Sequence, residues 1–295
     1  MSPSLIQIVI LAIVQGLAEL LPVSSSAHVI VVEKLMRLDA SSPELTFLLA
    51  MLHTGTMFAM IVYFWNSWKR SFFASPAQFR DAFFRIALAT VATLAVGGPI
   101  VLAIEKFGLR AHPGAQIEEL FGNLSLVAAA LAMGGLVIVA AGLGSRSKAK
   151  PLAEGEPYGK TLRAGPALGI GVAQGLCLPF RGLSRSGTTI STGMLLGVPR
   201  RVSEEFSFAL AIVITPPVIL REVLRLYRHR APGAAMIDWA ALARPGLLGM
   251  VCSFVAGLVA LKWLSGWLEN GRWHYFGIYC FAAAAGVWAL ALMGY

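Results

Sequence analysis

The chain is constrained first by a series of apolar runs, each close to the roughly 20 residues a helix needs to cross a bilayer. They lie at about 44 to 65, 82 to 105, 123 to 143, 204 to 222, 246 to 266 and 273 to 293 of the 295 residues. In lipid such runs must satisfy their backbone groups internally, and as single segments they do so as helices. Composition agrees, with 57% hydrophobic and 13% charged residues, where a soluble domain carries about 25% charged. The expected fold is an all-α polytopic membrane protein with about six full spans. It forms one integral membrane domain over residues 1–295 and leaves no separate soluble domain.

Segments 5 to 36 and 164 to 198 are apolar too, but each is interrupted in the middle, by LLPVSSSAH in the first and LPFRGLSRSGTT in the second. A break of this kind belongs where protein or a water-filled cavity can satisfy the freed backbone. Each segment is therefore drawn as a re-entrant pair of half-helices with its loop at depth. Gln15-Gly16-Leu17 recurs as Gln174-Gly175-Leu176, Val23 to Ser26 aligns with Leu183 to Ser186, and SPELTFLLAMLHT at 42 to 54 matches SEEFSFALAIVIT at 203 to 215. Collinear matches point to an internal duplication, approximately 1–143 and 164–293. With one re-entrant pair and an odd number of crossings in each half, the second half enters the membrane inverted. This inverted-topology plan, in which broken helices meet near the midplane, is that of many transporters.

The net charge of +9 would suggest nucleic acid in a soluble protein. Here most Lys and Arg flank the spans, as the positive-inside tendency predicts, so no nucleic-acid partner is expected. The loops near 66 to 85 and 144 to 163 read as cytoplasmic, together with Arg200, Arg201, Lys262 and Arg272, whereas Arg221, Arg225, Arg228 and Arg230 run against that orientation. Cys177, Cys252 and Cys280 form no metal or disulfide pattern. The N-terminus lacks a basic n-region and a cleavage site, and reads as mature protein. Trp65, Trp68, Trp263, Trp267, Trp273 and Tyr275, near span ends, read as interfacial anchors.

The chemistry concentrates in the two breaks. Arg185 cannot realistically deprotonate, and at mid-bilayer it costs at least about 2.5–3.5 kcal/mol, so something anionic should offset it. Ser184, Ser186, Thr188 and Thr189 offer hydroxyls, while Gly182 and Gly187 let the backbone approach a ligand. A half-helix starting at Ser186 or Gly187 would add free N–H groups and a positive dipole end. This is phosphate-binding chemistry; the structural alternative is an Arg185–Glu19 pair that pins the halves together. In the first break, Gln15 and Glu19 share a helix face, Pro22 ends that half-helix, and Ser24 to Ser26 can cap the next. His28 then lies in its first turn. A buried Glu can serve as metal ligand or base, a His as nucleophile or acid, and a Ser as an activated nucleophile. Together these are parts for phosphoryl transfer to water, although a proton-coupled carrier would use a similar set. His53 and Thr54 read as hydrogen-bonded packing residues, with a cavity-lining role the alternative, and Glu44 and Glu205 as residues that cap or orient the following helix. No Walker, HExxH or Rossmann motif is present.

QGLAELLPVSSSAHVIVVEKL resembles the first signature of the bacterial undecaprenyl pyrophosphate phosphatases, the bacitracin-resistance family, written EGxTEFLPVSSxGH. GLSRSGTTISTGMLLGVPR followed by EEFSFALAI resembles its second, PGxSRSGxTI with an FSF-containing helix. The resemblance covers nearly the whole chain. It implies metal-assisted hydrolysis of undecaprenyl diphosphate to the monophosphate and inorganic phosphate, recycling the lipid carrier for peptidoglycan and other wall glycans. The implied site looks outward from the bacterial cytoplasmic (inner) membrane, and the implied cofactor is a divalent cation, Mg2+ or Ca2+. Partners would be the polyprenyl diphosphate, membrane lipid and, as a further candidate, a second copy of the chain. Position by position, Glu19 matches a metal-binding or base residue, Ser24, Ser25 and Ser26 the hydroxyl run with Ser25 nearest the phosphate, and His28 a nucleophile or proton donor. Ser184, Arg185, Ser186, Gly187 and Thr188 match the phosphate-binding half.

The chain also departs from the family pattern. Gln15 stands where the signature has its first glutamate, so a metal shared by positions 15 and 19 would be held more weakly. Phe180 and Arg181 are added between Pro179 and Gly182, and Ala27 replaces a common glycine. The alternative function is a polyprenyl-phosphate carrier or flippase that binds the same headgroup without hydrolysing it.

Overall fold

The computed structural model describes residues 3–39, 42–108, 122–144, 162–228 and 239–295, and every regular element in them is helical. In chain order these are α1 (Leu5–Leu20), α2 (Ser25–Leu35), α3 (Pro43–Ser71), α4 (Pro76–Ala103), α5 (Leu124–Gly144), α6 (Ala164–Cys177), α7 (Arg185–Leu195), α8 (Arg200–Arg228), α9 (Trp239–Glu269) and α10 (Trp273–Leu292). A π-helical turn, Ile104–Gly108, extends α4. Arg230 and residues 145–161 of the loop near 144 to 163 lie outside the described residues.

Local sequence sets the helix ends. Ser4 closes a capping box with Gln7, and Ser42 and Ser75 cap α3 and α4, each followed by a proline that needs no N–H partner in the first turn. Helix α1 stops because Leu21 precedes Pro22, whose ring excludes the helical conformation for its neighbour; Leu21 is extended, at φ −79° and ψ 149°.

Among the described residues, five helical segments are long and apolar enough to cross a membrane: Glu44–Ser71, Pro76–Lys106, Leu124–Gly144, Leu242–Trp267 and Trp273–Leu292. The protein is a multi-pass membrane protein. Its outer surface fits a lipid solvent, with large apolar side chains such as Val62, Phe83, Val91 and Leu94 exposed. The sixth expected span, 204 to 222, is helical within α8 but is not among the five. Its beginning is polar, with Ser203, Glu204, Glu205 and Ser207 buried, and Pro216 and Pro217 lie inside it. Glu205 does not cap a helix. Its carboxylate accepts from Ser67 Oγ at 2.5 Å and from Arg201 Nε at 3.1 Å, while Glu204 accepts from Ser265 Oγ at 2.7 Å, so the two carboxylates tie α8 to α3 and α9.

Two of the expected interfacial tryptophans belong to the core. Trp68 is buried and donates to the Glu205 carbonyl at 3.3 Å. Trp273 is fully buried, its indole N–H donating to Ser191 Oγ at 2.9 Å. Near a span end a tryptophan can serve either solvent boundary or core, and hydropathy alone does not separate them.

The short helices are wedged against long ones. Helix α1 packs on α9, and α6 packs on α4. The glycines of the repeated Gln-Gly-Leu lie at those contacts. A Cβ on Gly16 would lie 2.6 Å from both Ala256 Cβ and Ser253 O, and one on Gly175 would lie 2.8 Å from Thr93 O. Gly16→Ala should therefore destabilise the protein in detergent by on the order of 1–3 kcal/mol, whereas Gly98→Ala, with nothing within 4 Å of its added carbon, should not. A thermal unfolding comparison checks this, and equal melting temperatures for the two variants would contradict the packing.

Candidate active site

The two helix breaks meet. Ser186 Oγ donates to the Leu21 carbonyl at 3.4 Å, and the Gly182 N–H donates to Ser26 Oγ at 3.3 Å. Gly182 has φ +109°, and a Cβ there would sit 2.4 Å from the Val127 carbonyl, so only glycine fits. These contacts bring α7 against the end of α1 and the start of α2.

Glu19, in the last turn of α1, is the node of the site. Its Oε1 is ion-paired with the Arg185 guanidinium from the other break. Its Oε2 accepts from Ser25 Oγ at 2.5 Å and from Gln15 Nε2 at 3.1 Å. Gln15 is thus oriented by chemistry: a carboxylate only accepts, so the amide turns its NH2 toward it. The same nitrogen lies 2.9 Å from His53 Nδ1, and that ring nitrogen is 3.7 Å from Glu19 Oε2. His53 therefore lines the site instead of serving only to pack α3. The clue in the sequence was a histidine in an otherwise apolar run, without anything to say which face it took.

The remaining candidates are placed around this node. Ser184 is the N-cap of α7, its Oγ accepting from the Gly187 N–H at 3.1 Å, and the helix itself begins at Arg185. Ser24 occupies the N-cap of α2 but does not cap with its side chain. Its backbone is left-handed at φ 68°, and its Oγ lies 3.3 Å from Ser26 Oγ. His28 Nδ1 lies 2.8 Å from the Ser24 carbonyl oxygen, and Nε2 lies 2.7 Å from the hydroxyl of Tyr279, a residue the sequence did not single out. Thr188 is buried within α7. The cluster thus joins Gln15, Glu19, Ser25, His53 and Arg185 directly, while the contacts of His28 run to Ser24, the residue before Ser25 in the chain, and to Tyr279.

Arg185 is not sealed by its ion pair. Its side chain keeps 28% of its surface exposed, against 9% for Glu19, so the guanidinium has donors left for a ligand. As for a metal, no group of three or more His, Cys, Asp or Glu side chains gathers among the described residues. The available donors are one carboxylate, on Glu19, and the carbonyl of Gln15. This set is too poor for an all-protein cage but fits a hard cation shared with substrate phosphates, as Mg2+ is commonly held.

Comparison with known proteins gives the chain a family. The profile of a family described as bacitracin resistance protein BacA matches residues 8–286. The chain is 50% identical over 289 residues to "Undecaprenyl-diphosphatase 2" of Acinetobacter baylyi, covering 97% of this chain and 98% of that protein. It is 34% identical to an "Undecaprenyl-diphosphatase" of Desulfosudis oleivorans, with 94% of each chain covered. It is 32% identical to one of Korarchaeum cryptofilum, covering 93% of this chain and 94% of that one. With a family match over nearly its full length and relatives of this identity, the chain belongs to the bacitracin resistance protein BacA family.

Proposed function

We infer that the protein hydrolyses undecaprenyl diphosphate to undecaprenyl phosphate and inorganic phosphate, the activity for which its relatives are named. The observation that carries a hydrolytic site over a carrier is the Ser25 hydroxyl donating to Glu19. A phosphate-binding carrier needs donors, but it does not need a carboxylate on a serine hydroxyl. In this reading Ser25 Oγ attacks the terminal phosphorus while its proton passes to Glu19 Oε2, the P–O bond to the bridging oxygen breaks, and undecaprenyl phosphate leaves. Water then attacks the phosphoserine phosphorus and gives a proton to His28, while the P–O bond to Ser25 breaks, Glu19 returns its proton to Ser25 Oγ and inorganic phosphate leaves.

Arg185 binds the headgroup and stabilises charge on the transferring phosphoryl group, aided by the first N–H groups of α7 and by the Ser24, Ser26, Ser184 and Ser186 region around it. Phosphate binding draws Arg185 away from Glu19 and frees the carboxylate as base. A divalent cation would be held by Glu19 and, once its amide turns over from the orientation that points NH2 at Glu19, by the Gln15 carbonyl. When bound, it supplies positive charge to the headgroup.

The same reading takes α1–α2 and α6–α7 as re-entrant pairs in an inverted repeat, with the site opening outward from the bacterial inner membrane. Its support is reciprocal packing. Gly16 in α1 lies against α9, and its repeat equivalent Gly175 in α6 lies against α4, so each broken pair leans on a long helix of the opposite half.

Purified protein in detergent should release inorganic phosphate from undecaprenyl diphosphate. Ser25→Ala and Arg185→Ala should each lose about 10²–10³-fold or more in rate. A folded wild-type protein that binds the lipid and releases no phosphate would leave the carrier standing. Gln15→Glu should lower the metal concentration for half-maximal rate, on the order of tenfold, because a carboxylate replaces a neutral ligand; an unchanged metal titration would remove position 15 from the cation site.

A further inference from the structure

His28 is held from two sides by parts of the chain far apart in sequence. The Ser24 carbonyl, 2.8 Å from Nδ1, can only accept, so Nδ1 carries the proton of the neutral ring. Nε2 is then an acceptor, and the Tyr279 hydroxyl at 2.7 Å donates to it. The two rings are nearly parallel, 10° apart in plane with centroids separated by 5.7 Å, so they meet side by side with the hydroxyl at the nitrogen.

Both anchors are themselves fixed. Ser24 has φ 68° and ψ 92°, a conformation a serine seldom takes, and its carbonyl receives the His28 backbone N–H at 3.4 Å as well as Nδ1. Non-glycine residues held in such conformations cluster at functional sites. Tyr279 is set by α10, which is tied to the same break: the Cys280 thiol donates to the Pro22 carbonyl at 3.5 Å. At the start of α10, Trp273 is bonded to Ser191 of α7. The C-terminal helix therefore touches both halves of the site and delivers a phenol to the histidine.

We propose that Tyr279 is a positioning residue for His28, a role that rests on the hydrolytic reading above. The Ser24 carbonyl selects the tautomer, and Tyr279 aims the basic nitrogen. Because a phenol both donates and accepts, one contact serves two protonation states. In the resting neutral ring its O–H donates to the one lone pair of Nε2. When water takes that lone pair the phenol turns its O–H away, and once the proton has moved the phenol oxygen accepts from the new Nε2–H. His28 can then gain and lose a proton without leaving its place, and Tyr279 prevents the free rotation that would waste the strained geometry of Ser24. Tyr279 is 47% exposed, so removing only its hydroxyl leaves no buried void.

The test combines nitrogen-15 histidine spectra of the full-length protein in detergent with kinetics. The His28 signals are assigned by their loss in His28→Gln. The wild-type spectrum should show His28 protonated at Nδ1 and bare at Nε2. In Tyr279→Phe the Nε2 resonance should move toward that of an unbonded imidazole nitrogen, with Nδ1 still protonated. In phosphate release, Tyr279→Phe should lower kcat about 3- to 10-fold, the worth of one hydrogen bond, with KM within about twofold. In a His28→Gln background it should cause no further loss. An unchanged Nε2 resonance, or an equal loss in both backgrounds, would overturn the proposal. If wild type releases no phosphate, the hydrolytic reading falls, while the resonance still decides whether Tyr279 holds His28.

Discussion

A carboxylate and a guanidinium from opposite halves of the chain, Glu19 and Arg185, face each other where two helices are broken, and the surrounding architecture follows from accommodating that pair. Neither charge is tolerable alone in a low-dielectric interior; removing one partner of a buried pair typically costs about 3–5 kcal/mol. The pair therefore holds the breaks together in the absence of substrate. In the proposed mechanism it also gives a diphosphate its point of attack, since an anion that takes over Arg185 leaves Glu19 free to act on the Ser25 hydroxyl it already contacts. On that proposal one interaction serves stability in the resting protein and chemistry in the loaded one.

Such a node can exist only if unpaired backbone is kept away from lipid. Pro22 forces the first break, and Gly182 permits the second with a backbone no other residue could take. The groups freed at these breaks find partners across the interface, as Leu21 does with Ser186 and Pro22 with Cys280. Closely approaching helices around Gly16 and Gly175 complete the enclosure. What would be defects in an isolated transmembrane helix become a polar cluster built from short-range constraints.

Much of this was legible in the sequence because it is written locally. Apolar run length located the spans, and the proline, glycine and serine interruptions located the breaks within a residue or two of the observed helix ends. Charge economy said that an arginine at depth needs an anion and favoured a phosphate; the Glu19 partner that the structure shows was the alternative reading. What stayed hidden depends on which face a side chain takes and on partners distant in sequence. His53 reads as one polar residue in an apolar run, and only the packing of α3 turns it to Gln15. Tyr279 lies 251 positions from His28 in an apolar span, where a tyrosine carries no signal. Trp273 looked like an interfacial anchor and is core, because α10 begins against α7 and not at the lipid boundary. Segment 204 to 222 looked like a simple span, but the carboxylates buried at its beginning bind neighbouring helices.

The central claim is that Glu19 is the base and that its bond to Ser25 is catalytic. Single-turnover phosphate release from undecaprenyl diphosphate by Glu19→Gln, beside equilibrium binding of the same lipid, tests it most directly. The amide keeps the size and can still accept from Ser25, but it cannot take the proton. The account predicts a loss of about 10²–10⁴-fold in the rate of release with binding of the lipid retained. Release at near the wild-type rate would contradict it and move the base elsewhere in the site.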